Sequence, residues 1–374
     1  MMTKLYNFTG EVNLERSLFP GFTPVLTTIK DGVRQDTYDA FIEPVEEKRN
    51  NLFVLTKTFV KKVAMVPQIL FKNRTAIGVE YDLLPWRIPC RAFARREVVV
   101  SAGAIASPQL LLLSGVGPRD VLQPLGIPVV SDLPVGRHLQ DHLATPGLNF
   151  YLHRRPSPAQ AVPEELRRYG NIGQALIQFL LSRDACRLPP RLHGRGVIEV
   201  RLASGPAGPP MAAARLFAYF TNLDETAWRR TYVPYLGIDG FTISTSILRP
   251  FSEGRLTLAS TDPYQDPLID LNYLSDPRDL HILMAVEVQL WCGAGLRYAL
   301  RLANSSMFHE LGAKVWDIPF HGCGQHEMYS DPYLECLIRH YTLPYQHYVG
   351  TCKMGAGPED PTAVVDPQLR LVQR

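Results

Sequence analysis

Residues Glu97–Pro118 read EVVVSAGAIASPQLLLLSGVGP, and this stretch decides the fold. The run Val98–Val100 predicts a strand buried on both faces, because consecutive β-branched residues are typical of such strands. The small residues of Ser101–Ala104 predict a turn that a ligand can approach closely. Ser107-Pro108 predicts a helix start, and Gly115 predicts its end. This order of elements presents backbone N–H groups to dinucleotides in α/β proteins, although it also occurs in cores without ligands.

A second informative stretch is His347–Gly355, HYVGTCKMG. A single histidine beside small residues is more often structural than catalytic, so the pattern alone assigns no role. A neutral imidazole can nevertheless accept a proton near pH 7, since its unperturbed pKa is about 6.5. The histidine is therefore a candidate acid–base group.

Composition excludes several classes of protein. The chain has 374 residues, 46% hydrophobic and 20% charged, which is ordinary for a globular protein with one large core or two moderate ones. A net charge of +3 without a dense Lys/Arg run predicts no nucleic-acid partner. No apolar run approaches the roughly 18 residues of a membrane span, and MMTKLYNFTG lacks the apolar centre of a signal peptide. No GxSxG motif is present, which argues against a hydrolase.

The cysteines and sequons leave the compartment open. Six cysteines without a CxxC pair argue against zinc, and we predict no metal site. Cys323 and Cys336 are close enough in sequence to form a disulfide. The sequons at Asn7, Asn73 and Asn304 are compatible with secretion, but such motifs also occur by chance.

Local patterns predict several further elements. Asp31-Gly32 predicts a turn between two extended runs, Thr37–Ile42 a short helix that stops before Pro44, and Leu52–Val63 a strand or hairpin. Ile127–Ser131 is interpreted as a strand, and Asn171–Leu181 as a short helix.

Patterns in the later part of the chain predict a turn with a short helix, a strand and a second helix. Leu133–Gly136 predicts a turn that leads into a short helix. Alternation in Arg255–Ala259 predicts a half-buried strand, and Asp276-Pro277 predicts the start of a helix. Asp141-His142 suggests either a metal or acid–base pair, or a structural hydrogen-bond network at a helix start. We favour the network, because no third ligand is nearby in the sequence.

Four segments together resemble the glucose–methanol–choline (GMC) flavoprotein oxidoreductases. They are GAIASPQLLLLSGVGP, HYVGTCKMG, VGRHLQDH and LRPFSEGRLTL. Their spelling is most similar to insect glucose dehydrogenase relatives within that family. The chain departs from the family pattern at Ala106, His138, Gln346 and Tyr348.

The resemblance implies a mixed α/β (α+β) fold with two domains. Residues 1–145 would form part of an FAD-binding domain. Residues 146–340 would form a substrate domain with an antiparallel sheet flanked by helices, although residues 150–219 are poorly recognisable. Residues 341–374 would return to the FAD-binding domain.

The resemblance also implies a reaction and its residues. The expected activity is oxidation of an alcohol or sugar at a CH–OH group, with FAD as cofactor and oxygen or a quinone as acceptor. His347 falls on the active-site histidine of the family. Val60, Gly103 and Ala104 fall on positions near FAD. Secreted insect members carry similar cysteines.

Two expected features are absent from these residues. No GxGxxG loop occurs, and the sequence stops before the segment in which the family carries a second active-site His or Asn. We therefore expect a fragment that binds FAD weakly or not at all by itself. Alternatives are a truncated, inactive GMC-like protein and, less favoured, a GMC-fold lyase.

Overall fold

A computed structural model describes residues 21–24, 28–30, 33–63, 75–152, 176–180, 196–203, 224–235, 240–284, 295–304, 309 and 312–372. The chain divides into two units, each assembled from three segments. The first unit comprises Met1–Val25, Asp141–Ser252 and Leu274–His347. The second unit comprises Leu26–Gln140, Glu253–Tyr273 and Tyr348–Arg374. The predicted assignment of FAD-binding and substrate domains remains a prediction.

The strands are short, and all their pairings are antiparallel. They are β1 (Gly21–Pro24), β2 (Ile29–Lys30), β3 (Val33–Arg34), β4 (Thr58–Val63), β5 (Gly78–Leu83), β6 (Ile88–Phe93), β7 (Leu143–Ala144), β8 (Leu148–Leu152), β9 (Leu176–Leu180), β10 (Gly196–Ala203), β11 (Gly240–Ile247), β12 (Arg255–Thr257), β13 (Leu268–Asp270), β14 (Ala313–Val315) and β15 (Leu343–Pro344).

The α-helices are α1 (Glu43–Glu46), α2 (Gly103–Leu113), α3 (Arg119–Leu122), α4 (Glu225–Thr231), α5 (Pro277–Met284), α6 (Leu296–Ala303) and α7 (Asp331–Tyr341). A π-helical turn, Tyr38–Ile42, precedes α1. Two 3₁₀ turns, Gln123–Leu125 and Val233–Tyr235, follow α3 and α4.

The first unit is an antiparallel sheet covered by helices, as the resemblance implied. The strand order is β1-β9-β10-β11-β7-β15, and β8 pairs with both β11 and β14. Side chains alternate between the faces of a strand. Ile243 and Ile247 of β11 therefore lie in one core with residues of α5, α6 and α7, both at 0% exposure. Burial of a side chain of this size contributes about 1.5–3 kcal/mol, so each of these isoleucines stabilises the unit by about that amount.

The second unit is built around α2. It contains a three-stranded sheet in the order β4-β5-β6 and the two-stranded β12-β13. Leu112 of α2 is completely buried in a core that also contains Leu256 of β12 and Val364. The predicted half-buried strand at Arg255–Ala259 is thus confirmed over Arg255–Thr257.

The start of the deciding stretch differs from the prediction. Val98–Val100 forms no strand, since a strand needs a hydrogen-bonded neighbour and none pairs with these residues in the described ranges. Val98 and Val100 pack against the core, whereas Val99 is 75% exposed. The prediction of burial on both faces was wrong, because the segment contributes one face only.

The helix begins earlier than predicted and ends as predicted. It starts at Gly103, so Pro108 lies inside it instead of at its first position. At its end Gly115 takes a left-handed φ of +85°, and the N–H groups of Gly115 and Val116 donate to the carbonyls of Leu112 and Leu111. This is the Schellman arrangement, in which a glycine without a Cβ closes the helix.

A short helix is present where it was predicted but ends later, and two other short elements were predicted wrongly. The helical segment after Thr37 continues through Glu46, because Pro44 is accommodated in the first turn of α1. Ile127–Ser131 forms no strand and makes only one bridge, between Ser131 and Val116. Leu176–Leu180 is a strand, not a helix, because pairing with β1 and β10 overrides local propensity.

Several local predictions are confirmed. Strands β2 and β3 pair across Asp31-Gly32, which itself lies outside the described residues. The predicted helix opens at Pro277, and Leu52–Val63 contains β4. Residues 133–136 form a turn, although no helix follows it.

Two further observations concern covalent and membrane structure. Cys323 and Cys336 form the predicted disulfide. Within the described ranges, no helix combines the length and apolar character that a membrane crossing requires.

Candidate active site

His347 lies at the end of a two-stranded ladder in the first unit. Strand β15 pairs with β7, and the Tyr345 N–H extends the ladder by donating to the carbonyl of His142 at 3.1 Å. The backbone then turns at Gln346, whose φ of +58° is left-handed. A non-glycine residue in this conformation is uncommon and needs support from its surroundings. The imidazole of His347 follows directly and is exposed.

The support comes from Asp141. Its carboxylate accepts hydrogen bonds from the N–H of His347 at 2.7 Å and of Gln346 at 3.1 Å. Asp141 is only 2% exposed. A buried carboxylate with two N–H donors therefore replaces the ladder partners that the turn has removed. The predicted structural network is present, but it lies at a strand end and not at a helix start.

His142, the neighbour of Asp141, contacts the candidate catalytic ring. The two Nδ1 atoms of His142 and His347 lie 3.2 Å apart, and the rings are nearly perpendicular at 82°. Burial lowers the pKa of His142, and the neighbouring His347 lowers it further. The Asp141 carboxylate and a hydrogen bond to the Leu248 carbonyl oppose this shift only in part. A neutral His142 is therefore favoured near pH 7.

Tyr345 completes the surroundings of the two rings. Its ring centroid lies 5.5 Å from that of His347 and 6.5 Å from that of His142. Its hydroxyl is 3.0 Å from Oγ of Ser246, which is 2% exposed on β11. The hydroxyl contact with the sheet fixes the aromatic ring beside the histidines.

Sequence reasoning proposed His347 as the catalytic candidate but did not predict the residues that support it. Asp141 and His142 were recognised as a pair and left outside the predicted catalytic set. Their role depends on the pairing of β7 with β15, which brings together residues 205 positions apart. The only available signal was the Asp-His dipeptide.

The three predicted cofactor residues lie in the second unit, on two elements that contact each other. Val60 is in β4, is 38% exposed, and precedes a register shift between Val60 and Lys62. Gly103 and Ala104 open α2, which packs against β4. The predicted cofactor residues thus lie on a helix and a strand that pack together, Gly103 and Ala104 at the start of α2 and Val60 within β4.

The start of α2 is open. Ala102, at the N-cap position, forms no side-chain cap, and Gly103 is exposed with a φ of +85°. A Cβ built on Gly103 would meet no atom within 4 Å. The first N–H groups of a helix lack internal partners and favour an anionic group. These residues therefore fit an anionic cofactor that approaches the backbone closely.

The HYVGTCKMG segment is bonded to that same helix. Pro108 has no N–H, so the carbonyl of Ala104, four residues earlier, lacks its helical donor. The hydroxyl of Thr351 donates to this carbonyl at 2.7 Å, and Thr351 is 2% exposed. A side chain of the HYVGTCKMG segment thus satisfies a backbone carbonyl that the stretch Glu97–Pro118 leaves without a helical donor.

Gly350 marks a close approach of two backbones. Its φ is +93°, and a Cβ there would lie 2.0 Å from the carbonyl oxygen of His138. His138 also takes a positive φ, and its Nδ1 lies 2.5 Å from Oε2 of Glu253. The histidine at this departure from the family pattern therefore has a carboxylate partner.

The residues that the structure describes include no group of three or more His, Cys, Asp or Glu side chains able to hold a metal ion.

Comparisons with known proteins agree on one family. Two models described as GMC oxidoreductase match residues 11–144 and 250–373. The chain is 34% identical over 357 residues to a glucose dehydrogenase [FAD, quinone] of Drosophila pseudoobscura pseudoobscura, covering 94% of this chain and 52% of the relative. The enzyme of the same name from Drosophila melanogaster is 32% identical over 361 residues, covering 94% and 52%. The chain thus spans about half the length of the curated relatives it matches.

A solved structure shows the same fold. The crystal structure of pyridoxine 4-oxidase from Mesorbium loti superposes with a TM-score of 0.63 at 23% identity, covering 94% of this chain and 57% of that chain.

Proposed function

This chain belongs to the GMC oxidoreductase family, and from that premise we propose that it is part of an FAD-dependent enzyme that oxidises an alcohol or sugar at a CH–OH group. The observation that carries the proposal is the arrangement of His347. Its backbone is held by Asp141, its Nδ1 is engaged by His142, and its ring is exposed. An imidazole fixed in this way is suited to proton transfer with a bound substrate.

His347 removes the hydroxyl proton of the substrate. Oxidation of CH–OH to a carbonyl breaks the O–H bond and the C–H bond, and the proton must reach a base as the hydride leaves carbon. The imidazole of His347 is the base that accepts this proton. When bound, FAD supplies the acceptor for the hydride.

Val60, Gly103 and Ala104 are the residues of this chain that would hold FAD. The exposed N-terminus of α2 would face an anionic part of the cofactor, since its N–H groups are uncapped. Val60 would contribute from the edge of the β4-β5-β6 sheet. The electron acceptor in the proposal is dioxygen or a quinone.

The disulfide supports an extracellular site of action. Disulfides persist in oxidising compartments and are rare in the cytosol, and Cys323–Cys336 is formed here. We include secretion in the proposal; detection of the protein in culture medium after expression in insect cells would test it.

The proposal is tested on the product of the complete transcript. The transcript is sequenced through both ends, and its protein is purified with FAD present. We expect alcohols or sugars to bleach the oxidised flavin absorbance without oxygen, and a dye to restore it. His347→Ala should lower the bleaching rate at least about 100-fold, the usual contribution of a positioned acid–base group.

A control variant and a second titration complete the test. His340→Ala changes an exposed histidine on α7 and should leave the rate unaltered. Flavin that no CH–OH donor reduces would contradict the proposed activity. FAD titrated into residues 1–374 alone tests the prediction of weak binding, which stoichiometric binding would contradict.

A further inference from the structure

The contact between His142 and His347 constrains where their protons lie. The two Nδ1 atoms are 3.2 Å apart, within hydrogen-bond reach. A neutral imidazole has one N–H donor and one acceptor nitrogen. The contact is therefore a hydrogen bond only if one Nδ1 carries a proton and the other does not.

The Leu248 carbonyl fixes the direction of this hydrogen bond. A carbonyl oxygen only accepts, and the Leu248 carbonyl raises the pKa of His142, which is the effect of an acceptor beside the ring. Nδ1 of His142 faces His347, which leaves Nε2 as the ring nitrogen that can donate to the Leu248 carbonyl. With its single proton on Nε2, neutral His142 presents Nδ1 as an acceptor.

The charge state of His142 supports the same direction. Burial of the ring and the neighbouring His347 both lower its pKa, which favours the neutral form. Among the described residues, the titratable groups that face it are His347, the Asp141 carboxylate and the Tyr345 phenol. The Asp141 carboxylate opposes the shift, but its two oxygens are already engaged by backbone N–H groups.

We propose that His142 is a positioning residue that holds the proton of His347 on Nδ1, so that Nε2 of His347 is the basic atom. Orientation of a catalytic base through its second nitrogen is a general device, because the orienting partner selects the tautomer. The tautomer assignment stands on the contacts of the first unit alone. Its consequence for substrate oxidation rests on the proposed function.

The tautomers are read directly by long-range ¹H–¹⁵N NMR of protein labelled with ¹⁵N-histidine. The His347 and His142 signals are assigned by their loss in His347→Ala and His142→Leu. At pH 7.5 we expect His347 to carry its proton on Nδ1 and His142 to carry its proton on Nε2. A His347 ring with its proton on Nε2 in the wild-type protein would overturn the proposal.

Two substitutions separate tautomer control from packing. His142→Leu removes the acceptor and should shift the His347 tautomer ratio toward Nε2–H roughly fivefold to tenfold, the population change that about 1 kcal/mol produces. His142→Asn can keep an acceptor oxygen near the Nδ1 position and should retain the wild-type tautomer. An unchanged His347 tautomer in His142→Leu contradicts the assignment. The exposed His340→Leu is the matched control.

Activity provides a separate measurement. In the complete enzyme, His142→Leu should lower kcat and alter its pH profile with little change in KM, and His142→Asn should restore most of the loss. The expected tautomers in a protein that oxidises no CH–OH donor would refute the proposed function and support the positioning assignment. A wild-type kcat and pH profile in His142→Leu would refute the positioning role.

Discussion

Thr351→Val tests the hydrogen bond between the HYVGTCKMG segment and the stretch Glu97–Pro118. The substitution keeps a β-branched side chain of similar size and removes the hydroxyl that donates to the carbonyl of Ala104. Because Pro108 has no N–H, no helical i−4 bond can replace it. The change therefore leaves a carbonyl near the start of α2 short of a donor.

The size of the effect follows from the environment of the hydroxyl. Thr351 is 2% exposed, so water does not readily take the place of the lost donor. An unsatisfied buried acceptor costs about 1–3 kcal/mol. We expect Thr351→Val to lower the free energy of opening of α2 by that amount. In this variant Pro108→Ala should recover about 1 kcal/mol, because alanine restores an N–H to the Ala104 carbonyl.

The assay is native-state hydrogen exchange of the amides of α2, which reports the local free energy of opening. The matched control is Thr342→Val at the end of α7, where the hydroxyl also donates to a helix carbonyl. That carbonyl, on Ile338, keeps the backbone N–H of Thr342 at 3.2 Å. The control should therefore change protection of α7 by less than about 0.5 kcal/mol.

Two results would refute this reasoning. One is protection of α2 in Thr351→Val within about 0.5 kcal/mol of wild type. The other is that Pro108→Ala changes the free energy of opening of α2 equally in the wild-type protein and in Thr351→Val. A double-mutant cycle without coupling would mean that residues 108 and 351 do not share the Ala104 carbonyl as acceptor.

Three further predictions concern stability and reactivity. Gly350→Ala should lower the free energy of unfolding in urea by more than about 3 kcal/mol, because the new Cβ meets the His138 carbonyl. Gly322 is also left-handed, but a Cβ there meets no atom within 4 Å, so Gly322→Ala should lower it by only about 1–2 kcal/mol. Burial raises the pKa of Cys352 to about 11, so its alkylation at pH 8 should be about 100-fold slower than in the unfolded chain, and equal rates by mass spectrometry would contradict this. Replacing both cysteines of the Cys323–Cys336 disulfide should destabilise the first unit by about 3 kcal/mol, and an unchanged urea midpoint would disprove that value.

Local patterns predicted the elements whose determinants are local. Gly115 ended α2 as expected, because a left-handed closing residue is a requirement of the helix terminus itself. Pairing of β2 with β3 across Asp31-Gly32 and the helix start at Pro277 depend similarly on residues close in sequence.

Prediction failed where a distant partner decides the conformation. Val98–Val100 has the composition of a buried strand, but no described strand pairs with it. Pro108 seemed to mark a helix start because a proline within a helix leaves a carbonyl open. Thr351, which is 247 residues from Ala104, supplies the missing donor and allows the helix to begin at Gly103. No local pattern contains that information.

The conformation of the candidate site likewise depends on residues that are distant in the sequence. The prediction that His347 is catalytic rests on a resemblance, since an isolated histidine carries no assignment, and it stays a prediction. Its orientation depends on Asp141, which replaces ladder acceptors at the left-handed Gln346, and on His142, which reaches its ring only because β7 pairs with β15. The stretch Glu97–Pro118 and the HYVGTCKMG segment thus each contain a backbone group whose hydrogen-bond partner lies far away in the sequence. The Ala104 carbonyl needs Thr351, and the backbone of His347 needs Asp141. A substitution of Thr351 should therefore disturb the start of α2, and a substitution of Asp141 should disturb the backbone at His347, each across more than 200 positions of sequence.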